Sequence, residues 1–281
     1  MAIFDGCLIA SDVDGTLMDN GYINPKTVER IKFFMLQGGK FSLSTGRCSS
    51  AVGDVLAHIL PSPSVAANGA VIYDYENKKY LYSVGLEEKD KILAKLIKEN
   101  FSTVGIEIHS KDDILLLNET KETVDHEVYE HLTAKKVDFK EALLYQWNKV
   151  LYLCENGQQR KKVESFALNA KIGSDFARTV AVIDNKTRYY FEQVPKNISK
   201  ATTLKKLCEM LDIKKGKFFA IGDYYNDLEM LKSADISACP ENSPEDIKQY
   251  AKIIVSTAEN GAVADFIDYL YVLLTPKKKG N

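Results

Sequence analysis

The sequence predicts an α/β protein: a parallel sheet wrapped by helices, with a second α+β unit inserted into it. Three observations carry this. Strand-like and helix-like segments alternate over residues 1–82 and again over 189–281, as the crossovers of a parallel sheet require. The block between them, 83–188, is denser in strands, has helices of its own and is long enough to be a domain. Composition is ordinary for a globular chain, 45% hydrophobic and 27% charged over 281 residues, which suffices for one large core or two modest ones.

The elements follow in order. "CLIASDV" is the first strand; Pro25 to Leu36 is a helix, with Val28, Ile31 and Met35 at helical spacing and Gly38-Gly39 as its stop signal. "KFSLSTG" is a second strand, "CSSAVGDVLAHI" a second helix and "SVAANGAVIYD" a third strand. Linkers near Tyr82 and Arg188 bound the insertion. Its strands are "GIEIHS", "ILLLNE", "KVLYLCE" and "TVAVID", its helices "KDKILAKLIKEN" and "QQRKKVESFALNA". The first style then returns with "KFFAIGD", "NDLEMLKSA", "DISACP", "SPEDIKQYA", "KIIV" and the amphipathic "GAVADFIDYLYVLL".

Charge and cysteines exclude several classes. A net charge of -2 and a pI near 6.2 leave no basic footprint, so nucleic acid is not the expected partner. Cys7, Cys48, Cys154, Cys208 and Cys239 lack C-x-x-C spacing and point to a reduced, cytoplasmic protein. No apolar run reaches the roughly 18 residues of a membrane span, and no signal-peptide pattern opens the chain. The basic tail "PKKKGN" reads as a solvated terminus. Nothing in the pattern sets an oligomeric state.

The chemistry gathers at strand ends. Asp12 and Asp14 end the first strand, where ligands bind in open parallel sheets. Side chains alternate along a strand, so both carboxylates reach one ligand only if the chain leaves strand geometry, which Gly15 permits. "FFAIGDYYNDLEML" repeats the device with Gly222, Asp223 and Asp227. Two such charges about 4 Å apart repel by about 4 kcal/mol at an effective dielectric of 20, so four converging carboxylates need a cation between them. Oxygen donors without His or Cys select magnesium or manganese over zinc. "LSTGR" ends the second strand in Thr45, Gly46 and Arg47, a hydroxyl and amides suited to a phosphate oxygen. Lys200 opens a helix in "SKATTLKKL", where a positive charge opposes the macrodipole unless an anion offsets it.

In this order and at these distances, "DVDGTL", "STGR", "SKATTLKKL" and "GDYYND" resemble the four signature motifs of the haloacid dehalogenase (HAD) superfamily, specifically the Cof-like phosphatases with an inserted type IIB cap. The resemblance implies a Rossmann-like core with an α+β cap, and a magnesium-dependent phosphatase acting on a small phosphorylated metabolite, a sugar phosphate or nucleotide-like cofactor. It implies Asp12 as the nucleophile that becomes an aspartyl-phosphate, and Asp14 as the acid that protonates the leaving group and then activates water. To do so Asp14 must first hold a proton, which its acidic neighbours are expected to favour. By the same match Thr45, Gly46, Lys200, Asn226 and the backbone at Val13 hold phosphate. Asp12, Asp223, Asp227 and the Asp14 carbonyl form the magnesium environment.

The chain departs from the family pattern at Ala201, at Tyr224, which is expected to crowd the entrance, and at "CPENS", which keeps only Asn242 of a usual pair. Arg47 and Asn68, in "ANGA", are the candidate substrate contacts of the core. In the cap, His109, Asp112 and Asp113 lie near a strand end but read as a solvated loop. Two alternatives stay open: a sugar phosphomutase, in which a sugar replaces water as phosphoryl acceptor, and a non-catalytic sugar-phosphate sensor.

Overall fold

The structure, a computed structural model, describes residues 2–111, 113–130, 132–183 and 186–276. The first part of the chain supplies strands β1 (Leu8–Ser11), β2 (Lys40–Leu43), β3 (Ser64–Ala66), β4 (Val71–Asp74) and β5 (Lys79–Ser83). The insertion supplies β6 (Gly105–Ser110), β7 (Ile114–Asn118), β8 (Ala134–Lys136), β9 (Trp147–Cys154), β10 (Asp175–Ile183) and β11 (Lys186–Val194). The return supplies β12 (Phe218–Ile221), β13 (Ile236–Pro240) and β14 (Ile253–Val255).

The core sheet runs β14-β13-β12-β1-β2, all parallel, so β1 has neighbours on both sides, with Leu8 opposite Lys40 and Phe218. Helices cover both faces, which is why β1 is apolar along its length: Leu8 and Ile9 are fully buried, each contributing roughly 1.5–3 kcal/mol. On one face the helices Pro25–Leu36 and Ala262–Leu274 meet through Phe33 and Tyr271, and through the Lys26–Asp265 ion pair at 2.9 Å. The first of them begins at Asn24, whose side chain accepts from the Lys26 amide, with Pro25 in the first turn.

The cap sheet runs β10-β11-β9-β6-β7-β8 and is antiparallel except for the β7–β8 pair. Its two faces differ as strand alternation dictates. Ile106, Ile108, Val150, Tyr152 and Phe191 point to one side, into an apolar cluster with Leu93, Ile97 and Val163 of the helices behind the sheet. The register places His109 opposite Lys149, Leu151 opposite Glu192, and Tyr190 opposite Thr179. These residues form the other face, which looks onto the end of the core sheet.

Three elements differ from expectation. "SVAANGAVIYD" is two antiparallel strands, β3 and β4, because the chain reverses at Asn68, which takes a φ of 52°. The helix expected over "CSSAVGDVLAHI" shrinks to Gly53–Leu56, since residues before Gly53 are drawn into turns around Arg47. And Arg188 is not a linker: it lies inside β11, which stays in the cap sheet to Val194.

Candidate active site

Asp12 leaves the end of β1 with its amide still bonded to the Ile221 carbonyl of β12 at 3.0 Å, so its position is set by the core sheet. Facing it is Lys200, the first residue of the helix Lys200–Met210, which Ser199 caps by accepting from the Thr202 amide. The Lys200 ammonium is 1% exposed and donates to Asp12 Oδ1 at 2.6 Å and to Asp227 Oδ1 at 2.7 Å. Those carboxylates explain a lysine at a helix start: their charges outweigh the macrodipole's repulsion. The other oxygen of Asp227 accepts from the amides of Asp223 and Tyr224 at 3.1 and 3.3 Å.

Asp223 accepts from Thr16 Oγ1 at 2.8 Å, a contact sequence reasoning missed, although Thr16 stands in the "DVDGTL" segment. Between them the chain turns at Gly15, with a φ of +78°; a Cβ there would lie 2.6 Å from Asp223 Oδ2. Gly15 is thus required twice, by the backbone and by the carboxylate beside it. Gly15→Ala is expected to destabilise the fold by about 1–3 kcal/mol and to push Asp223 aside. The measurement is a thermal melt alongside kcat; an unchanged melt and rate would contradict the assignment.

Asp14 behaves differently from its expected role as one of four crowded carboxylates. Arg47 grips it with Nε to Oδ2 at 2.9 Å and Nη2 to Oδ1 at 2.7 Å. The neighbour of the Asp14 carboxylate is therefore a cation, and among the described residues it is Asp12, Asp223 and Asp227 that bring ligand atoms within 4.8 Å of one another. Arg47, expected to face substrate, is buried and turned onto protein groups, its Nη1 donating to the Ala51 carbonyl at 3.0 Å and to Asp54. Thr45 accepts from the Arg47 amide at 3.0 Å, leaving its own proton free to donate toward the cavity it lines.

A cavity of 370 Å³ connects Asp12, Asp14, Thr45, Gly46, Arg47, Tyr224, Asn226 and Asn242 of the core with His109, Lys149, Thr179, Tyr190 and Glu192 of the cap. Among the hydrogen bonds that span core and cap are Lys149 Nζ to the Gly46 carbonyl and Asn68 Nδ2 to Glu192 Oε2, both 2.8 Å. Asn68 thus meets the cap directly. Tyr224 lines the cavity, as its bulk suggested, with its ring edge-on to Tyr225. His109 is buried on β6 rather than in a solvated loop; Asp113 is exposed, and Asp112 lies outside the described residues. Sequence reasoning missed Lys149 and Glu192: Lys149 is the one charge in the largely apolar β9, while Glu192 shares β11 with Lys186 and Arg188 and had no such signal.

Burial and charge make the acidic cluster strained. Desolvation, then Asp227 and Asp223, hold the Asp12 carboxyl well above the usual carboxylate range despite Lys200. Desolvation and Asp227 push Asp223 up to about 7. Three carboxylates against one lysine are a surplus of negative charge in hard oxygen donors, which fits a divalent cation of the magnesium type. The residues present can hold one through Asp12, Asp223 and Asp227.

Comparison with known proteins bears on the same residues. The haloacid dehalogenase-like hydrolase family matches residues 9–267. Phosphatase YwpJ of Bacillus subtilis (strain 168) is 25% identical over 285 residues, covering 94% of this chain and 99% of its own. From the same organism, 5-amino-6-(5-phospho-D-ribitylamino)uracil phosphatase YwtE is 25% identical over 282 residues, covering 93% and 97%. The solved structure of the HAD subclass IIB sugar phosphatase BT4131 has a TM-score of 0.81 at 17% identity, covering 95% of this chain and 99% of that one. A haloacid dehalogenase-like hydrolase from Bacteroides thetaiotaomicron has a TM-score of 0.79 at 24% identity, covering 94% and 99%. With the family match running from β1 into the last helix, and the same fold in both solved structures, the chain belongs to the haloacid dehalogenase-like hydrolases.

Proposed function

We propose that the enzyme is magnesium-dependent and hydrolyses a small phosphorylated metabolite, a sugar phosphate or a nucleotide-like cofactor, through an aspartyl-phosphate on Asp12. The observation that carries this reading is the placement of Asp12: at the end of β1, an inner strand of the core sheet, against Lys200, on the wall of a cavity that also holds Asp14. In the first step an Asp12 oxygen attacks phosphorus, the bond to the leaving oxygen breaks, and Asp14 gives that oxygen a proton. In the second, water attacks phosphorus, its proton passes to Asp14, and the bond to Asp12 breaks, releasing phosphate. Arg47, which grips both oxygens of the ionised Asp14, positions it to take the proton from water, and the protonated carboxyl that serves the first step keeps one oxygen for the guanidinium.

Lys200, the Thr45 hydroxyl, Asn226 and the backbone of Val13 and Gly46 hold the phosphoryl oxygens in this scheme. Magnesium held by Asp12, Asp223, Asp227 and the Asp14 carbonyl would supply the remaining charge neutralisation. YwtE carries a ribityl-pyrimidine phosphate in its name, and substrates of that size suit the nucleotide-like half of the proposal. The five cysteines are unpaired, which supports a reducing, cytoplasmic setting. Among the described residues no helix is long and apolar enough to cross a membrane. The test is a panel of phosphorylated metabolites with magnesium, following phosphate release, with hexose bisphosphates added to reveal transfer to a sugar. Release without transfer supports hydrolysis; transfer without release makes the enzyme a mutase.

A further inference from the structure

We propose that the buried Lys149–Glu192 pair sets the specificity of this enzyme, restricting the leaving group to an uncharged, polyhydroxylated alcohol and refusing a second anion. The proposal rests on the phosphatase reading above and narrows its substrate class. Lys149 and Glu192 come from adjacent strands, β9 and β11, and are 3% exposed each. The ammonium donates to Glu192 Oε2 and to the Gly46 carbonyl, both at 2.8 Å, so it stands over the phosphate-binding turn. The remaining Glu192 oxygen accepts from Thr179 Oγ1 at 2.8 Å, and Asn68 Nδ2 reaches Oε2.

Among the described residues, the other cations around the cavity are likewise committed. Arg47 is held by Asp14 and Asp54, and Lys200 by Asp12 and Asp227. His126 lies 2.9 Å from Glu107 and 3.6 Å from Glu130, while His109 lies 3.4 Å from Glu107. Among the described lining residues no positive charge is left over for a carboxylate or second phosphate on the leaving group. A second anion would have to draw Lys149 from Glu192, leaving a buried carboxylate without its counter-ion.

Hydroxyl groups face no such barrier. Tyr190 offers a hydroxyl on the same wall, and Thr179 Oγ1, whose proton goes to Glu192, still accepts. A sugar or polyol hydroxyl both donates and accepts, so it satisfies these groups in either sense.

The test uses two pairs: sorbitol 6-phosphate against 6-phosphogluconate, which are of nearly equal size, and fructose 6-phosphate against fructose 1,6-bisphosphate, which adds a second phosphate. Wild-type kcat/KM with magnesium is read beside calorimetric Kd on Asp12→Asn, and p-nitrophenyl phosphate is a separate control. We expect the neutral member to be preferred about 100-fold by both measures. Glu192→Gln, which frees Lys149, should shrink the preference below about tenfold, and Lys149→Met should widen it. Opposite shifts are not what a merely structural pair would produce. Equal or better handling of the anionic members by the wild type overturns the proposal, as do shifts of the same sign in both variants. A protein silent toward p-nitrophenyl phosphate and the whole panel refutes the phosphatase reading instead, and the calorimetric ranking then still decides the charge rule.

Discussion

Asp12→Asn abolishes turnover while the protein stays folded and still binds substrate. The amide is isosteric but has no nucleophilic lone pair, so the covalent route closes and kcat falls by at least about 10³-fold. Stability should move the other way. The Asp12 carboxylate is held well above its usual range by desolvation and by Asp227 and Asp223, so its charged form opposes folding. A neutral side chain removes that opposition, and Lys200 keeps Asp227 as a partner at 2.7 Å. The metal-free variant should therefore melt no lower than the wild type. The two readings together separate a catalytic residue from a structural one: activity within about tenfold of wild type would exclude Asp12 as nucleophile.

Metal removal has a comparable effect. EDTA should lower kcat by more than about 100-fold, and magnesium should restore it. Calcium should inhibit, because it takes more ligands at longer distances and tolerates a geometry poor for in-line attack. Magnesium should also raise the melting temperature, because a cation among Asp12, Asp223 and Asp227 offsets carboxylates that otherwise repel one another. Asp227→Asn should weaken both responses. Full activity in EDTA, with elemental analysis finding no metal, would refute the cofactor assignment.

The core half of the site was legible in the sequence and the cap half was not, for a physical reason. Asp12, Asp14, Asp223 and Asp227 stand at the ends of apolar runs, and a charge there is informative because strand ends in a parallel sheet are where ligands sit. Lys149 and Glu192 stand inside "WNKVLYLC" and "KTRYYFEQV", where a charge reads as the solvated face of an amphipathic strand. What buries them is the packing of that face against Gly46 and Asn68, residues of the core. Arg47 was found but turned the wrong way: nothing local shows that its fork would close on Asp14 rather than on a ligand. The reversal at Asn68 was hidden for a similar reason, since the apolar residues on either side of it continue one strand pattern into the next.

The pairing of β1 between β2 and β12 also has a temporal meaning. Leu8 is made about 210 residues ahead of its partner Phe218, which follows only after the whole cap. At about 5–20 residues per second, that leaves the strand that ends at Asp12 waiting on the order of ten seconds or more for one of its two edges. The cap closes its own antiparallel sheet from near neighbours along the chain, so it can settle first. Ribosome-bound chains halted before β12 should show a protease-resistant cap beside a protease-sensitive first segment. Nascent chains would thus hold a finished cap over an unfinished core sheet, with apolar β1 open to chaperones until β12 emerges.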